Sequence, residues 1–265
     1  MKKKWTTSTI RACKGKHKIA CLTAADYATA HLIDEAGIQL VLVGDSLAMT
    51  VLGYETTLPV TMNEMLHHTA AVVRGVKDAL VVADMPFMSY QISAEQALEN
   101  AGCFMKDAHA GAVKIEGGSI RVNTIETLVE NGIPVMGHIG LTPQSVHQMG
   151  GYKVQGKHHQ EAENLITDAL ALTEAGIFAL VLECVPAVLA AEITKKVSVP
   201  TIGIGAGAGC DGQILVTHDM LGLHSDITPS FAKRYAELGA QMSKAFTEYL
   251  EEVSGGKFPA EKHSF

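Results

Sequence analysis

The sequence predicts a single (β/α)8 barrel, and three observations carry that reading. The chain has 265 residues with no linker or low-complexity segment to divide it, so residues 1–265 read as one catalytic domain of ordinary size for this fold. About eight short apolar runs, each fitting a buried parallel strand, alternate with stretches of helical apolar spacing. Strand after strand, the polar residue comes at the carboxyl-terminal end, where sites of this fold are assembled. A doubly wound open sheet shares the alternation and stands as the alternative.

Strands are expected at 18–23, 39–44, 79–83, 112–116, 134–138, 178–183, 200–204 and 213–217. Four follow a loose repeat, an amphipathic stretch ending in glycine before an apolar run: "EAGIQLVLVGD" (35–45), "AHAGAVKIEGG" (108–118), "ENGIPVMGHIG" (130–140) and "EAGIFALVLEC" (174–184). Gly37, Gly111, Gly132 and Gly176 each stand where a left-handed helix C′ residue belongs. Helices are expected over 61–74, 93–101, 160–175 and 229–246, with another near 187–196 begun by Pro186. Thr61 with Glu64, and Ser93 with Gln96, fit the capping box. The closing "SGGKFPAEKHSF" reads as a tail that packs or frays.

Composition narrows the function. Hydrophobic residues make up 47% and charged residues 18%, which fits a compact enzyme with a large core. The net charge is −7, and no Lys/Arg cluster lies beyond the initial "MKKK". A nucleic-acid surface is disfavoured, whereas a small anion held by one or two local cations is not. Cys13, Cys21, Cys103, Cys184 and Cys210 are odd in number, scattered and never in CxxC spacing, which argues against a disulfide framework or a zinc site. No apolar segment follows the basic start, and none approaches bilayer length. A soluble cytoplasmic protein is the expectation.

The polar strand ends are Asp45 and Ser46 (second strand), Asp84 (third), Lys114 and Glu116 (fourth), His138 (fifth) and Glu183 (sixth). Lys114 and Glu116 share a side of their strand, because side chains alternate with period two. Taken singly, each has a plain structural reading: Asp45 and Asp84 as caps or turn residues, Lys114 as a partner for Glu116, His138 as a satisfied core histidine, Glu183 as a cap for the next helix. Together they differ, since three carboxylates on neighbouring strands would repel in a low-dielectric mouth and a bound cation would relieve them. With only oxygen donors on offer, Mg²⁺ or a related hard ion is indicated, able to accept a chelating oxyacid. Lys114 could then hold a substrate carboxylate or enolate oxygen, and Glu183 could serve as base. The "GIGAGAG" run (203–209) fits a backbone phosphate site or a tight loop equally well. Met49, Met85, Phe87, Met88 and Tyr90 fit an apolar lid or ordinary filler.

Longer stretches go further. "LVGDSLAMTVLGYETTLPVT" (42–61), "ADMPFMSY" (83–90), "VKIEGG" (113–118), "GHIGLTPQSVHQMGGYKVQG" (137–156), "LVLECVP" (180–186) and "IGIGAGAGCDGQILVTHDMLG" (202–222) closely resemble, in order, the ketopantoate hydroxymethyltransferase family. The resemblance implies a barrel of the phosphoenolpyruvate/pyruvate group that transfers a one-carbon unit from 5,10-methylenetetrahydrofolate to 3-methyl-2-oxobutanoate, with Mg²⁺ as metal. It implies that Asp45 and Asp84 ligate the metal, with Glu116 in the same site directly or through water. It further implies that Asp45, Ser46, Asp84 and Lys114 contact the oxoacid, that His138 lies near the pocket, and that Glu183 accepts the proton. Large homo-oligomers, decamers in the family, are implied as well. The rival readings are a related Mg²⁺-dependent 2-oxoacid C–C lyase and a non-catalytic metabolite-binding barrel. A phosphate-binding barrel isomerase is disfavoured because it leaves the carboxylates without a task.

Overall fold

A computed structural model of the chain describes residues 4–223 and 229–265, so most of the basic start lies outside the described residues. Two compact units emerge, Met1–Val216 and Thr217–Phe265. The first is a closed barrel of eight parallel strands in sequence order. They are β1 (Ile19–Thr23), β2 (Leu40–Val43), β3 (Leu80–Asp84), β4 (Ala112–Glu116), β5 (Val135–Gly140), β6 (Ala179–Glu183), β7 (Thr201–Ile204) and β8 (Gly212–Leu215). Closure of β8 onto β1 rules out the open-sheet alternative. Strands β2, β3, β4, β5 and β7 are buried at every residue, which is why they read as unbroken apolar runs.

The outer helices mostly start and stop where local chemistry dictates. Thr61 and Glu64 form a full capping box on the Met62–Gly75 helix. Ser93 caps the Ala94–Lys106 helix, but only half of the expected box forms: Gln96 accepts from the Ile92 N–H instead of the Ser93 N–H. The His159–Glu174 helix and the Ala187–Lys196 helix behind Pro186 lie as expected. Tyr27–Glu35 and Val122–Glu130 supply two more that the alternation requires. Gly37, Gly132 and Gly176 adopt φ of 84°, 82° and 98° after their helices. Gly111 does not: His109 takes the left-handed turn at φ 58°. Gly111 is instead a close-approach glycine, because a Cβ there would fall 2.6 Å from Leu80 Cδ1.

Between β7 and β8 there is no helix. The returning chain lies flat on the Ala187–Lys196 helix, where a Cβ on Gly207 would meet Ala187 Cβ at 2.5 Å and one on Gly209 would meet Ala191 Cβ at 2.7 Å. Those alanines are one helical turn apart, and the turn through 207–209 sets the two glycines over them. The glycine-rich run is therefore a tight return loop, and no helix amino terminus follows to complete a phosphate site. Gly209→Val is expected to lower stability by about 1–3 kcal/mol through overpacking. An unchanged urea midpoint would mean that the loop is not pressed against the helix.

At the amino-terminal face, buried Asp34 accepts from the backbone N–H groups of Lys77, Asp78 and Ala79 at 3.0, 3.0 and 2.7 Å. Asp211 likewise accepts from Thr201 N (2.9 Å) and Gly15 N (3.0 Å) and pairs with Lys14 Nζ (2.9 Å).

In the second unit the expected helix over 229–246 is displaced to Leu238–Ser254. Residues 229–237 are tied elsewhere: the Tyr235 N–H donates to Met220 O, and the Gly239 N–H donates to Gly222 O. The apolar spacing runs on through Met242, Phe246, Tyr249, Leu250 and Val253, all exposed. The closing segment packs, with the Phe258 ring 5.7 Å from that of Tyr249. Among the described residues no helix is long and apolar enough to cross a membrane.

Candidate active site

Barrel register sets the site. Asp84 is the register partner of Lys114, Glu116 of His138, and Gly140 of Glu183. Side chains two apart on a strand share a face, so charges brought in by β3, β4, β5 and β6 meet at the carboxyl-terminal mouth. Lys114 Nζ lies 2.5 Å from Asp84 Oδ1 and 3.7 Å from Glu116 Oε1. His138 bridges onward, with Nδ1 3.4 Å from Glu116 Oε1 and Nε2 3.3 Å from Glu183 Oε2. Neither ring nitrogen meets hydrogen-bond geometry, so these contacts are ionic. Asp45 follows β2, and its N–H donates to Asp84 Oδ2 at 3.2 Å. Ser46 opens the short Leu47–Thr50 turn, half-buried and without a capping bond. All the expected site residues except Ser46 are thus linked in one chain of contacts. Glu183 is the member that reaches outward, its side chain 17% exposed against 2–4% for Asp84, Lys114, Glu116 and His138.

One residue escaped the sequence reading. Gln144, buried in the turn after β5, donates its side-chain amide to Asp45 Oδ2 (3.0 Å) and its backbone N–H to Glu116 Oε2 (3.1 Å). Its Oε1 accepts from the Tyr90 hydroxyl at 2.6 Å. Gln144 therefore fixes two carboxylates relative to each other, a role no periodicity announces. Tyr90 and Met85 are fully buried and belong to the packing, not a lid. Phe87 and Met88 are exposed, and Met49 sits 3.9 Å from the Tyr152 hydroxyl. Burial, followed by the charges of Asp45, Glu183 and Glu116, raises the Tyr152 pKa.

The electrostatics are lopsided. Burial, reinforced by Asp84 and Glu116, pushes the Asp45 carboxyl well above the usual carboxylate range. Burial also raises Asp84 against the pull of Lys114. Glu116 is lowered, because contacts with His138 and Lys114 outweigh burial. Lys114 is raised, as the charges of Asp84, Glu116 and Asp45 outweigh its burial. Asp45, Asp84 and Glu116 crowd round Lys114, and burial with mutual repulsion raises both aspartates; a hard cation would relieve that, and the three offer only oxygen donors. Among the described residues no three His, Cys, Asp or Glu side chains already form a closed metal cage.

For His138, burial and the Lys114 charge act downward, yet Glu116 and Glu183 lift its pKa to about 9. Its folded value lies above the unfolded 6.5, so its stabilisation is complete below pH 6.5 and is lost as pH rises through 9. His138→Gln is expected to cost about 2–3 kcal/mol at pH 6 and much less at pH 10. Parallel urea-midpoint curves for the two proteins across that range would contradict the paired imidazolium.

Known proteins match this chain along its whole length. The family model described as ketopantoate hydroxymethyltransferase matches residues 4–261. A 3-methyl-2-oxobutanoate hydroxymethyltransferase from Syntrophus aciditrophicus (strain SB) is 58% identical over 264 residues, 99% of this chain and 97% of the relative. One from Enterococcus faecalis (strain ATCC 700802 / V583) is 60% identical over 248 residues, 94% of this chain and 90% of the relative. Among solved structures, phosphoenolpyruvate phosphomutase from Streptomyces platensis subsp. rosaceus aligns with a TM-score of 0.63 at 14% identity, covering 95% of this chain and 88% of that one. A 2,3-dimethylmalate lyase of the PEP mutase/isocitrate lyase superfamily aligns at 0.59 and 15% identity, covering 98% and 91%. At such identities these two structures share the barrel fold and nothing more specific.

Proposed function

The chain belongs to the ketopantoate hydroxymethyltransferase family, and from that premise we propose that it transfers the one-carbon unit of 5,10-methylenetetrahydrofolate to 3-methyl-2-oxobutanoate, giving 2-dehydropantoate. The observation that carries the reading to the level of residues is the continuous row Asp84–Lys114–Glu116–His138–Glu183 in the barrel mouth. It offers a fixed cation for an oxyanion, an oxygen-rich pole, and a carboxylate base at the opening.

In this reading Lys114, steadied by Asp84, holds the substrate's developing enolate oxygen as a point charge. Asp45, Ser46, Asp84 and His138 line the oxoacid. Glu183 takes the proton from C3, and His138 at 3.3 Å keeps its carboxylate aimed. The carbon so freed of its proton attacks the methylene carbon of the folate iminium, and the new C–C bond forms as the iminium electrons return to nitrogen. Water then replaces the folate nitrogen at that methylene: a C–O bond forms as the C–N bond breaks, the hydroxymethyl group stays on C3, and tetrahydrofolate leaves with a proton on its nitrogen. Asp45 and Asp84, with Glu116 directly or through water, would hold Mg²⁺. The ion would supply Lewis-acid polarisation of the 2-oxo group.

The whole chain, residues 1–265, serves in this reading as one catalytic domain organised on the barrel. A large homo-oligomer, a decamer as in the family, is supported by the exposed apolar stripe from Met242 to Val253. A cytoplasmic setting is supported by the five unpaired cysteines.

The test is an assay with Mg²⁺, 3-methyl-2-oxobutanoate and methylenetetrahydrofolate, with formation of 2-dehydropantoate as the readout. Oxoacid cleavage without folate would favour the lyase instead. Binding without C3 exchange would favour a metabolite-binding barrel. Asp84→Ala is expected to weaken Mg²⁺ binding about 10–100-fold by calorimetry, and an unchanged affinity would remove Asp84 from the metal site.

A further inference from the structure

Beside the catalytic row lies a cavity of about 370 Å³ lined by Ile120, Ile139, Met149, Asn164, Leu165 and Asp168 among others. It shares Met149, Gln155 and Glu161 with a second cavity of about 330 Å³ that is edged by Lys153, Lys157 and His158. Together they form a two-chamber groove on the first unit. Its inner wall begins at the carboxyl-terminal ends of β4 and β5: Gly117 follows Glu116, Gly140 ends β5, and the Gln155 N–H donates at 2.9 Å to the carbonyl of Cys184, next to Glu183, while Ile139 faces the opposite side of β5 from His138. Gly117 is one residue step, about 3.8 Å between Cα atoms, from Glu116, and Gln155 reaches Glu183 only through Cys184. The proposed chemistry uses neither chamber for the oxoacid.

Resting on the activity proposed above, we infer that this groove seats the folate co-substrate, with the pterin ring in the inner chamber and the glutamate tail along Lys153 and Lys157. The inner chamber offers aliphatic faces from Ile139, Leu165 and Met149 for a flat ring. It also holds one fixed carboxylate. Asp168 Oδ1 accepts from the Ser119 N–H at 2.7 Å and from its hydroxyl. Gly118 makes that seating possible, since a Cβ there would fall within 2.0 Å of the Asp168 carboxyl carbon. A pterin presents a ring N–H beside an exocyclic amino group, a donor pair that a carboxylate matches with two parallel hydrogen bonds. The outer chamber has the opposite character. Lys153, Lys157 and His158 are exposed and basic, and folate ends in one or more glutamates. Glu161 stands where the chambers meet, beside the uncharged middle of such a ligand, and faces the His158 N–H at 3.5 Å. The two ends of the groove thus match the two ends of the ligand, a carboxylate for the donor edge and cations for the anionic tail, with Glu161 held by the His158 N–H between them.

Two variants test the inference on the full-length protein with mono- and triglutamyl methylenetetrahydrofolate at low salt. Asp168→Asn keeps an acceptor for Ser119 and is expected to raise the folate KM about 30-fold, with the oxoacid KM within twofold. The double variant Lys153→Glu/Lys157→Glu is expected to cut the triglutamate preference about tenfold and to remove its salt dependence. An unchanged folate KM in Asp168→Asn, or an equal rise in both KM values, overturns the ring placement. An unchanged triglutamate-to-monoglutamate ratio overturns the tail placement. Should Asp168→Asn fail to fold, Ile120→Trp at the 79%-exposed rim narrows the same chamber and must also raise the folate KM selectively. If the wild type makes no product, the activity reading fails on its own. Calorimetric titration with tetrahydrofolate triglutamate then decides the groove: tenfold weaker binding to the charge-reversed variant sustains it, and equal or absent binding overturns it.

Discussion

Glu183→Gln is expected to lower the rate of C3 deuterium exchange in 3-methyl-2-oxobutanoate by about 10²–10⁴-fold while leaving oxoacid affinity within a fewfold. The amide matches the carboxylate in shape but cannot take a proton. Two groups stand near enough to compete for the role of base, and their charge states separate them. His138 keeps its proton up to about pH 9, so at neutral pH it has no lone pair to offer. Lys114 is held protonated by three carboxylates. Glu183 lies 3.3 Å from the His138 ring and is the most open of the row. Exchange followed by proton NMR in D2O, with oxoacid affinity from calorimetry, reads both halves of the prediction. Exchange at the wild-type rate in the glutamine variant would take the proton-abstracting role away from Glu183.

The second large effect is on stability. Lys114→Met removes the only ammonium in contact with Asp84 and Glu116 among the described residues. Stripping one partner from a buried ionic cluster costs about 3–5 kcal/mol when the remaining charge cannot escape. Here it can escape at low pH, because Asp84 and Asp45 already hold protons more tightly than exposed carboxylates do. With Lys114 gone their folded values climb further above the unfolded ones. Stability then falls as pH rises through those values. The loss should be near its full size at pH 8.5 and clearly smaller at pH 5, as measured by urea midpoints. A loss below about 1 kcal/mol at both pH values would mean that the ammonium carries little of the cluster.

Most of the barrel could be read from the chain because its information is local. A strand buried on both faces must be apolar throughout, so β2, β3 and β4 stood out, and their polar ends marked the rim. Register then converted chain order into neighbours, pairing Asp84 with Lys114 and Glu116 with His138. What escaped was long-range or negative. Gln144 joins Asp45 and Glu116 from a turn whose sequence has no period to betray it. Gly111 resembled its three counterparts in sequence, yet its reason is the Leu80 side chain, distant in the chain. Gln96 found a better partner in Ile92 than in its own cap. The helix expected from residue 229 begins only at Leu238, because the preceding segment bonds back to Met220.

The two aspartates of the amino-terminal face bear on what the scaffold tolerates. Asp211 lies below the usual carboxylate range: burial raises it, but bonds from Lys14, Thr201 and Gly15 more than reverse that. A depressed value stabilises at neutral pH and is forfeited as acid protonates the group. Acid failure is therefore seeded at the floor by Asp211 and in the mouth by Glu116, whereas alkaline loss comes from deprotonation of His138 in the mouth. Substitutions that retune the chemistry in the mouth therefore shift part of the acid limit along with the alkaline one, while the share held by Asp211 stays where it was.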